Sequence, residues 1–361
     1  MLSLILPTYN EAENLPELIP TLEHVLRGMP FEIIVVDDDS PDQTWKVVQT
    51  LAKDDAHVHV IRRIGRRGLS SAVIEGFLAA KGDVLAVMDA DGQHDMSILP
   101  TLDHAVIANG GLAIGSRYIA GGSVGQWDER RHAMSRFATA FAIRLCKVTV
   151  KDPMSGFFAI SRSTFEDVLP RLNPKGFKIL LDLLMHVPRG TPVREVPFAF
   201  SSRRHGESKL SRRVQIEFLE YLYEACLGRF VPLTFLKYCI VGALGVAINL
   251  GITLLLSASA AFDGRVFGLS VPLLTGIEAA ILFNFLLNNV WTFAPARLEG
   301  GGAIFGFLRY NVACLFGALA NYAVTAHLLS RSLGIVPAVT LGALVGMIWN
   351  YTMSRMFTWK V

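Results

Sequence analysis

The first half of the chain alternates between short unbroken apolar runs and longer segments in which apolar residues recur at helical spacing. The runs predict buried strands, because apolar stretches of this length bounded by turn residues are typical of strands inside a sheet. They cover residues 2–7, 31–36, 58–61 and 82–88, and the helical segments cover residues 14–28, 44–51 and 69–80. Strands that alternate with helices indicate an α/β domain with a mainly parallel sheet.

The last third of the chain is mostly apolar and predicts an all-α membrane domain. Four segments are each long enough for the roughly 20 helical residues that cross a bilayer. They cover residues 234–259, 269–293, 304–330 and 335–357. Ahead of them, residues 211–232 mix charged with aromatic and aliphatic side chains. That pattern favours helices lying at the membrane interface over a helix that packs on the first domain.

The four apolar segments contain an internal repeat. Phe-Leu-Lys-Tyr at residues 235–238, followed by Asn249, recurs as Phe-Leu-Arg-Tyr at residues 307–310, followed by Asn321. Asn284 followed by Trp-Thr-Phe recurs as Asn350 followed by Phe-Thr-Trp. The membrane domain is therefore predicted to be two helical hairpins of the same orientation.

The composition agrees with a division into a polar and an apolar half. Hydrophobic residues make up 52% of the chain and charged residues 18%, which is apolar for a soluble protein. The net charge of +3, with no basic patch interleaved with aromatic residues, argues against a nucleic-acid partner. The four cysteines show no paired spacing, and the first residues lack a basic region. Neither a disulfide framework, a zinc site nor a signal peptide is expected.

Acidic residues follow two of the predicted strands. The fourth strand ends in Asp89-Ala90-Asp91 with Gln93 close behind, and the second ends in Asp37-Asp38-Asp39. Ligands of open α/β sheets bind at the carboxyl ends of the strands, and clustered oxygen ligands suit Mg²⁺ or Mn²⁺. The alternative at this point is a solvated turn. Neither a Gly-x-Gly-x-x-Gly nor a Walker loop occurs, so phosphates would be held by metal and side-chain cations.

Eight motifs follow one another through residues 1–225. They are Leu6-Pro7-Thr8-Tyr9-Asn10-Glu11, residues 35–44 (Val-Val-Asp-Asp-Asp-Ser-Pro-Asp-Gln-Thr), Gly68-Leu69-Ser70, residues 88–94 (Met-Asp-Ala-Asp-Gly-Gln-His), Gly115-Ser116-Arg117-Tyr118, Trp127 with Arg131 and Ser135, residues 152–158 (Asp-Pro-Met-Ser-Gly-Phe-Phe), and Arg203 with Gly206-Glu207-Ser208-Lys209-Leu210. This series resembles the family 2 glycosyltransferases with the GT-A fold, which implies a Rossmann-like, mixed but mainly parallel sheet. The variant Ser-Pro-Asp at residues 40–42, with Gln93-His94, resembles the dolichol- or polyprenyl-phosphate mannose synthases in particular.

The resemblance implies a site for a nucleotide sugar. The residues implied to hold a Mg²⁺ or Mn²⁺ ion and the diphosphate are Asp89, Ala90, Asp91 and Gln93, of which Ala90 is no metal ligand. The residues implied to line the nucleotide pocket are Pro7, Tyr9, Glu11 and Asp39. Asp37 and Asp38 could instead cap a helix that starts near Ser40.

The same motifs imply a phosphate-binding group for the acceptor. The residues implied to act in transfer are Asp91, Arg117, Arg131, Arg203 and Lys209. Arginine fits a phosphate through two parallel hydrogen bonds. A lipid phosphate is already anionic at pH 7, so we expect direct displacement without a general base. His94, His132 and His205 are expected to be polar loop residues, and the absence of a Gln-x-x-Arg-Trp motif favours transfer of a single sugar.

The membrane half resembles the GtrA-like family of four-helix domains. The predicted division is residues 1–210 for the GT-A catalytic domain, 211–232 for the interface helices and 233–361 for the membrane domain. Basic residues cluster at the span ends on the side of the catalytic domain, which the positive-inside rule places in the cytoplasm. Asparagines in the spans are expected to make interhelical hydrogen bonds rather than a transport pathway. Glu278, the only acid inside a span, is the one functional candidate there.

The predicted reaction is therefore transfer of mannose from GDP-mannose to a dolichyl or polyprenyl phosphate at the cytoplasmic face of a cell membrane. One alternative keeps the lipid acceptor and uses UDP-glucose as the donor. Another alternative, of a different class, is a lipid-linked sugar transporter whose soluble domain is regulatory. The intact acidic motif and the series of cations argue against a soluble domain that has lost transferase activity.

Overall fold

The computed structural model describes residues 1–125, 139–140, 142–144, 148–174, 178–201, 219–220, 223–224, 227–228, 230–258, 262, 264–266 and 268–361. The chain divides into two compact units, Met1–Cys226 and Leu227–Val361. Most of residues 211–232, predicted to form interface helices, lie outside the described part of the chain. That segment and the domain boundaries therefore stay predictions.

The first unit contains a seven-stranded sheet with the strand order β3-β2-β1-β4-β6-β5-β7. The strands are β1 Leu2–Thr8, β2 Phe31–Asp37, β3 Val58–Arg62, β4 Val84–Val87, β5 Leu112–Ser116, β6 Phe158–Ser161 and β7 Val193–Pro197. β6 runs antiparallel to both of its neighbours, and every other pair is parallel. The mainly parallel sheet is confirmed. The last three strands, β5, β6 and β7, were not among the predicted strands.

Helices cover both faces of this sheet. They are α1 Leu15–Val25, α2 Thr44–Asp54, α3 Leu69–Ala79, α4 Leu99–Asn109, α5 Arg162–Val168 and α6 Ile179–His186, with short 3₁₀ turns at Met96–Ile98 and Leu169–Arg171. Because side chains alternate along a strand, Leu4 and Leu6 pack with α1, α2 and α4, while Ile5 packs with α3, α5 and α6 on the other face. Two apolar layers therefore fix the strand ends at which the acidic residues lie.

The second unit consists of four long apolar helices and one short β-hairpin. The helices are α7 Leu233–Ser257, α8 Val271–Leu287, α9 Gly301–Ser330 and α10 Ile335–Met353, and the hairpin strands are β8 Arg265–Val266 and β9 Leu269–Ser270. α8 and α10 each continue into a π-helical turn, Asn288–Thr292 and Ser354–Thr358. All four helices are long and apolar enough to cross a membrane, as the sequence predicted.

The two hairpins repeat the same packing. Gly245 on α7 lies against Asn284 on α8, and in the second hairpin Gly317 on α9 lies against Asn350 on α10. The repeated ends of the four helices carry an aromatic cluster, in which the repeat pairs Tyr238 with Tyr310, Phe285 with Tyr351 and Phe293 with Trp359. The internal repeat thus corresponds to a repeat of structure.

The span asparagines do not share one role. Trp359 donates its indole N–H to Asn289 at 2.9 Å, which is an interhelical bond of the expected kind. Asn249 instead accepts from Thr253 of its own helix. The carbonyl oxygens of Asn284 and Asn350 are buried without a hydrogen-bond partner among the described residues. The expectation of interhelical hydrogen bonds therefore describes only part of this set.

Candidate active site

Asp89 follows β4 and lines a partly open pocket together with Arg117, Gly156 and Lys178. Its carboxylate lies against Gly156, since a Cβ at Gly156 would stand 2.6 Å from Asp89 Oδ2. Burial raises the pKa of Asp89, and the neighbouring charge of Asp91 adds to that effect, while His94 opposes it. Such a carboxyl is costly to ionise alone and is stabilised by a nearby cation.

Asp91 and Gln93 fix the loop that follows Asp89. Both residues are buried, and the Gln93 backbone N–H donates to Asp91 Oδ1 at 3.1 Å. The Gln93 side-chain amide donates to the carbonyl oxygen of Ser201 at 3.0 Å, and the Ser201 N–H donates back to the Gln93 carbonyl at 2.8 Å. Gln93 therefore ties the acidic loop to the residue that directly precedes residues 202–218.

His94 lies in the loop after β4, as expected, but its side chain is buried. Its ring lies 5.3–5.5 Å from the rings of Phe157, Phe198 and Phe200. Burial lowers the pKa of His94, although Asp89 and Asp91 act to raise it. The Nδ1 atom is buried and has no hydrogen-bond partner among the described residues. Because the ring packs against three phenylalanines of the apolar core, it holds the end of the acidic loop against that core.

Arg117 lies on the same pocket and is paired with Asp152. Its Nε donates to Asp152 Oδ2 at 2.8 Å and its Nη2 donates to Oδ1 at 2.9 Å. The Asp152 side chain is fully buried, and that of Arg117 is 11% exposed. Burial acts to lower the pKa of Arg117, but the hydrogen bonds and charge of Asp152 raise it overall. The guanidinium thus remains a fixed cation in the pocket wall.

Lys178 is a pocket residue that the sequence reasoning missed. It stands just before α6 and lines the pocket with Asp89 and Arg117. Its amine donates to the carbonyl oxygen of Met154 at 3.4 Å. Burial lowers the pKa of Lys178, the charge of Arg117 lowers it further, and Asp89 acts to raise it. Two signals were available, since Met154 and Gly156 belong to a quoted motif and Lys178 directly precedes the apolar run Ile179-Leu180-Leu181.

The residues implied to line the nucleotide pocket lie at the carboxyl ends of β1 and β2. Pro7 is buried in β1, and the Glu11 carboxylate accepts from the Asn14 amide at 2.7 Å. The guanidinium of Arg67 lies 4.6 Å from the ring centroid of Tyr9. Asp39 is partly exposed and accepts from Arg62 Nε at 2.6 Å.

Asp37 and Asp38 were predicted either to join the nucleotide pocket or to cap the helix near Ser40. The Asp37 carboxylate instead accepts from the N–H and hydroxyl of Ser40, and Asp38 pairs with buried Arg63 at 2.8 Å. α2 begins at Thr44, whose N–H donates to Asp42 at 3.0 Å. The capping expectation is therefore wrong for both residues, and Asp42 supplies that hydrogen bond.

Three of the implied acceptor residues, Arg131, Arg203 and Lys209, lie outside the described residues. His132, His205, Trp127 and Ser135 lie there as well. Of the implied cations, only Arg117 can be located, and it shares the pocket with Asp89. The grouping of all four cations around one phosphate therefore stays a prediction.

The described residues fit a divalent cation that is shared with a substrate. They contain no cluster of three His, Cys, Asp or Glu side chains that could hold a metal by itself. Magnesium is commonly bound by one or two carboxylates together with substrate phosphates and water. Asp89 and Asp91 provide such a pair, and the raised pKa of Asp89 marks a carboxyl that a cation would relieve. The side-chain amide nitrogen of Gln93 donates to Ser201, which leaves the side-chain oxygen, Oε1, to serve as a metal ligand.

Comparison with known proteins agrees with both halves of the chain. Residues 3–169 match the family "Glycosyl transferase family 2", and residues 237–359 match "GtrA/DPMS, transmembrane domain". The dolichol-phosphate mannosyltransferase of Pyrococcus furiosus is 40% identical over 360 residues, which is 99% of each chain. The polyprenol monophosphomannose synthase of Mycolicibacterium smegmatis is 39% identical over 57% of this chain and 80% of its own.

Among solved structures, a similar one is glucosyl-3-phosphoglycerate synthase from Mycobacterium tuberculosis, in complex with Mn²⁺, UDP-glucose and phosphoglyceric acid. The alignment covers 63% of this chain and 79% of that chain, with a TM-score of 0.47 and 18% sequence identity. That likeness is too distant to carry an argument about the site. The full-length similarity at 40% identity does carry one. The chain belongs to the dolichol-phosphate mannosyltransferases, a group of family 2 glycosyltransferases, and its last third is a GtrA/DPMS transmembrane domain.

Proposed function

We propose that this membrane enzyme transfers one mannose from GDP-mannose to a dolichyl or polyprenyl phosphate, with inversion at the anomeric carbon. The observation that carries the proposal is the pocket that half-buried Asp89 shares with two cations, Arg117 and Lys178. A carboxylate that can hold a metal serves the diphosphate of the donor, and fixed cations serve the phosphate of the acceptor. The family relatives support a polyprenyl phosphate as the acceptor and mannose as the sugar.

The donor would lie across the carboxyl ends of β1, β2 and β4. Tyr9, Glu11 and Asp39 would contact the nucleoside, with a carboxylate on the ribose hydroxyls, and Pro7 would close the pocket beside them. Asp89, Asp91 and Gln93 would hold a Mg²⁺ or Mn²⁺ ion and the diphosphate beside Ala90. When bound, that ion offsets the charge that develops on the leaving nucleoside diphosphate.

The acceptor needs positioning rather than activation. The second pKa of a phosphate monoester is about 6, so its attacking oxygen is already anionic at pH 7. Arg117 is held rigidly by Asp152 and can orient the phosphate without losing much conformational entropy. Arg131, Arg203 and Lys209 would complete this group. His94 packs among three phenylalanines, which suits a supporting role and not that of a base.

The catalytic domain is proposed to face the cytoplasm. Lys237, Arg297, Arg309 and Arg355 stand at the span ends that would share its side, whereas Arg265 and Arg331 stand in the opposite loops. Positive residues are retained preferentially on the cytoplasmic side of a membrane. Labelling of single cysteines in these loops with an impermeant maleimide, in sealed right-side-out vesicles, tests the orientation. We expect only the loops that carry Arg265 and Arg331 to be labelled. Labelling of the opposite loops instead would place the catalytic domain on the outer side of the membrane.

Incubation of the full chain in bilayers with each radiolabelled nucleotide sugar, a polyprenyl phosphate and Mg²⁺ or Mn²⁺ tests the reaction. GDP-mannose is expected to label the lipid fraction, and the Asp91→Ala variant is expected to label none. If UDP-glucose labels the lipid fraction and GDP-mannose does not, the donor is UDP-glucose. If none of the nucleotide sugars labels the lipid fraction, and the wild-type chain instead moves preformed lipid-linked mannose across the bilayer, the transporter alternative replaces the proposal.

A further inference from the structure

The two hairpins of the membrane domain have the same internal packing. The two lines of contact between the hairpins, which we call seams, differ from each other. Where α7 meets α10, the Cys239 thiol lies 3.5 Å from the Met347 sulfur. Where α8 meets α9, the Asn311 amide donates to Glu278 Oε2 at 2.9 Å. In the repeat, Asn311 corresponds to Cys239 and Glu278 corresponds to Leu344. The repeated packing therefore does not require this polar pair, which has been added to one seam.

The polar pair faces outward at membrane depth. Glu278 is an exposed residue of the α8 span, and the large apolar side chains of Leu282 and Leu286 follow it toward the π-helical turn. On a helix with a rise of 1.5 Å per residue, Glu278 lies roughly 10 Å from the start of α8 and about 20 Å from the end of its π-helical turn. Lipid chains cannot satisfy polar atoms at this depth, and each unsatisfied atom is costly.

The pair has hydrogen-bonding capacity to spare. A carboxylate offers two oxygens, and a carboxamide offers two N–H donors. The described residues show one hydrogen bond for each side chain, the one that joins them. One oxygen of Glu278 and one N–H of Asn311 are therefore available on the lipid-facing surface. An identical pair, turned by a two-fold axis, matches both.

We propose that the surface formed by Glu278 and Asn311 between α8 and α9 is the interface between two copies of this chain in the membrane. Each Asn311 amide donates to Glu278 of its own copy and to Glu278 of the other. The result is a closed ring of four hydrogen bonds in which the spare donor and the spare acceptor of each pair are both used. A self-complementary patch of this kind is what a two-fold dimer requires.

The depth of the Glu278–Asn311 pair in the bilayer favours a second copy of the chain over a lipid headgroup as its partner. Phosphate and sugar headgroups lie at the membrane boundary, and only other spans bring polar groups to the middle of the bilayer. The apolar residues beside the pair, Leu282 on α8 and Val312 and Leu315 on α9, are all exposed and would pack across the same axis. Hydrogen bonds then give the interface its register, and side-chain packing gives it area.

Cysteine cross-linking compares the two seams directly. In the full chain with its four native cysteines replaced by alanine, Leu282→Cys places a thiol one turn from Glu278, and Ile348→Cys places one at the corresponding site on α10; both side chains are exposed. Oxidation in native membranes is expected to give a covalent dimer of the first variant and little of the second. Equal cross-linking, cross-linking of Ile348→Cys alone, or none at either site would overturn the proposal.

Variants of the pair then test the hydrogen-bond ring. Glu278→Leu, which copies Leu344, and Asn311→Leu are each expected to lower Leu282→Cys cross-linking at least tenfold. Thr275→Val is the matched control, because this exposed hydroxyl donates within its own helix to Val271 at 2.9 Å. Mannosyl transfer by each variant reports that it has folded, and either leucine variant suffices if the other does not fold. Unchanged cross-linking in a folded leucine variant would show that the ring does not hold the copies together.

Discussion

Asp152 holds the guanidinium of Arg117 through two parallel hydrogen bonds, at 2.8 Å and 2.9 Å, and also accepts the Arg117 backbone N–H at 3.1 Å. Asp152 is itself fixed, because its own N–H donates to Glu195 at 3.1 Å. The position of Arg117 in the pocket is therefore set before any substrate arrives. An arginine held in this way can orient an acceptor phosphate at little entropic cost.

Asp152→Asn keeps the shape of the carboxylate and removes its charge, so it should release Arg117 without opening a cavity. Turnover should fall at least tenfold while nucleotide binding is retained, and Arg117→Ala should behave alike. Breaking a buried ion pair costs about 3–5 kcal/mol, so the unfolding free energy should fall too. Calorimetric titration with GDP and denaturant unfolding measure the two effects. Arg66→Gln, which removes an exposed partner of Glu75, is the control. Loss of GDP binding with normal acceptor use would contradict the role of Arg117.

Gly156→Ala places a methyl group 2.6 Å from the Asp89 carboxylate, and the carboxylate must then move. Because that oxygen is a proposed metal ligand, the affinity for Mn²⁺ with GDP should fall at least tenfold while the fold is kept. Titration of Mn²⁺ by electron paramagnetic resonance measures it. Gly242→Ala is a suitable control, since a Cβ at that position meets nothing within 4 Å. Unchanged Mn²⁺ affinity in Gly156→Ala would argue against Asp89 as a ligand.

Asp89 should make the metal-free protein more stable at lower pH. Burial raises its folded-state pKa above the unfolded value, so the folded chain binds the proton more tightly. The contribution of Asp89 to stability therefore falls as the pH rises through the interval between the two pKa values. Asp89→Asn should raise the Tm of the metal-free protein at pH 7, by about 2–4 °C for each kcal/mol gained. The gain should shrink toward pH 4, and Mn²⁺ should stabilise only the wild-type chain. A Tm difference that does not change with pH would show that this carboxyl is not the group responsible.

Lys178→Met keeps the length and apolar stem of the side chain and removes the cation from the pocket. If the amine offsets phosphate charge, kcat/KM should fall at least tenfold, which corresponds to about 1.4 kcal/mol of transition-state stabilisation. Lys178→Arg should keep the charge but less activity than the wild type, because a planar guanidinium cannot copy the position of the ammonium, which donates to the Met154 carbonyl. Steady-state transfer with varied GDP-mannose measures both. Lys46, an exposed residue of α2, offers Lys46→Met as the control.

The sequence predicted those parts of the fold that depend on local pattern. β1, β2 and α2 follow from unbroken apolar runs and helical periodicity, and the four spans follow from length and hydropathy. β6 could not be placed, because it pairs antiparallel with β4 and β5, and both strands are distant from it in the sequence. Asp89 was found because it ends a strand. Lys178 was not, because its place beside Asp89 arises from packing between segments distant in the sequence.

Two glycines of α7, Gly245 and Gly251, differ in what surrounds them. A Cβ at Gly245 would overlap the Asn284 side chain of α8, whereas a Cβ at Gly251 would meet nothing within 4 Å. Gly245→Ala should therefore separate α7 from α8 and lower the Tm of the full chain in bilayers by several degrees, and Gly251→Ala should not. Asn284→Ala removes the opposing side chain, so Gly245→Ala combined with Asn284→Ala should recover part of the loss. Thermal unfolding of the four variants closes this double-mutant cycle. If Gly251→Ala is as damaging as Gly245→Ala, helix propensity rather than the contact with Asn284 governs the hairpin.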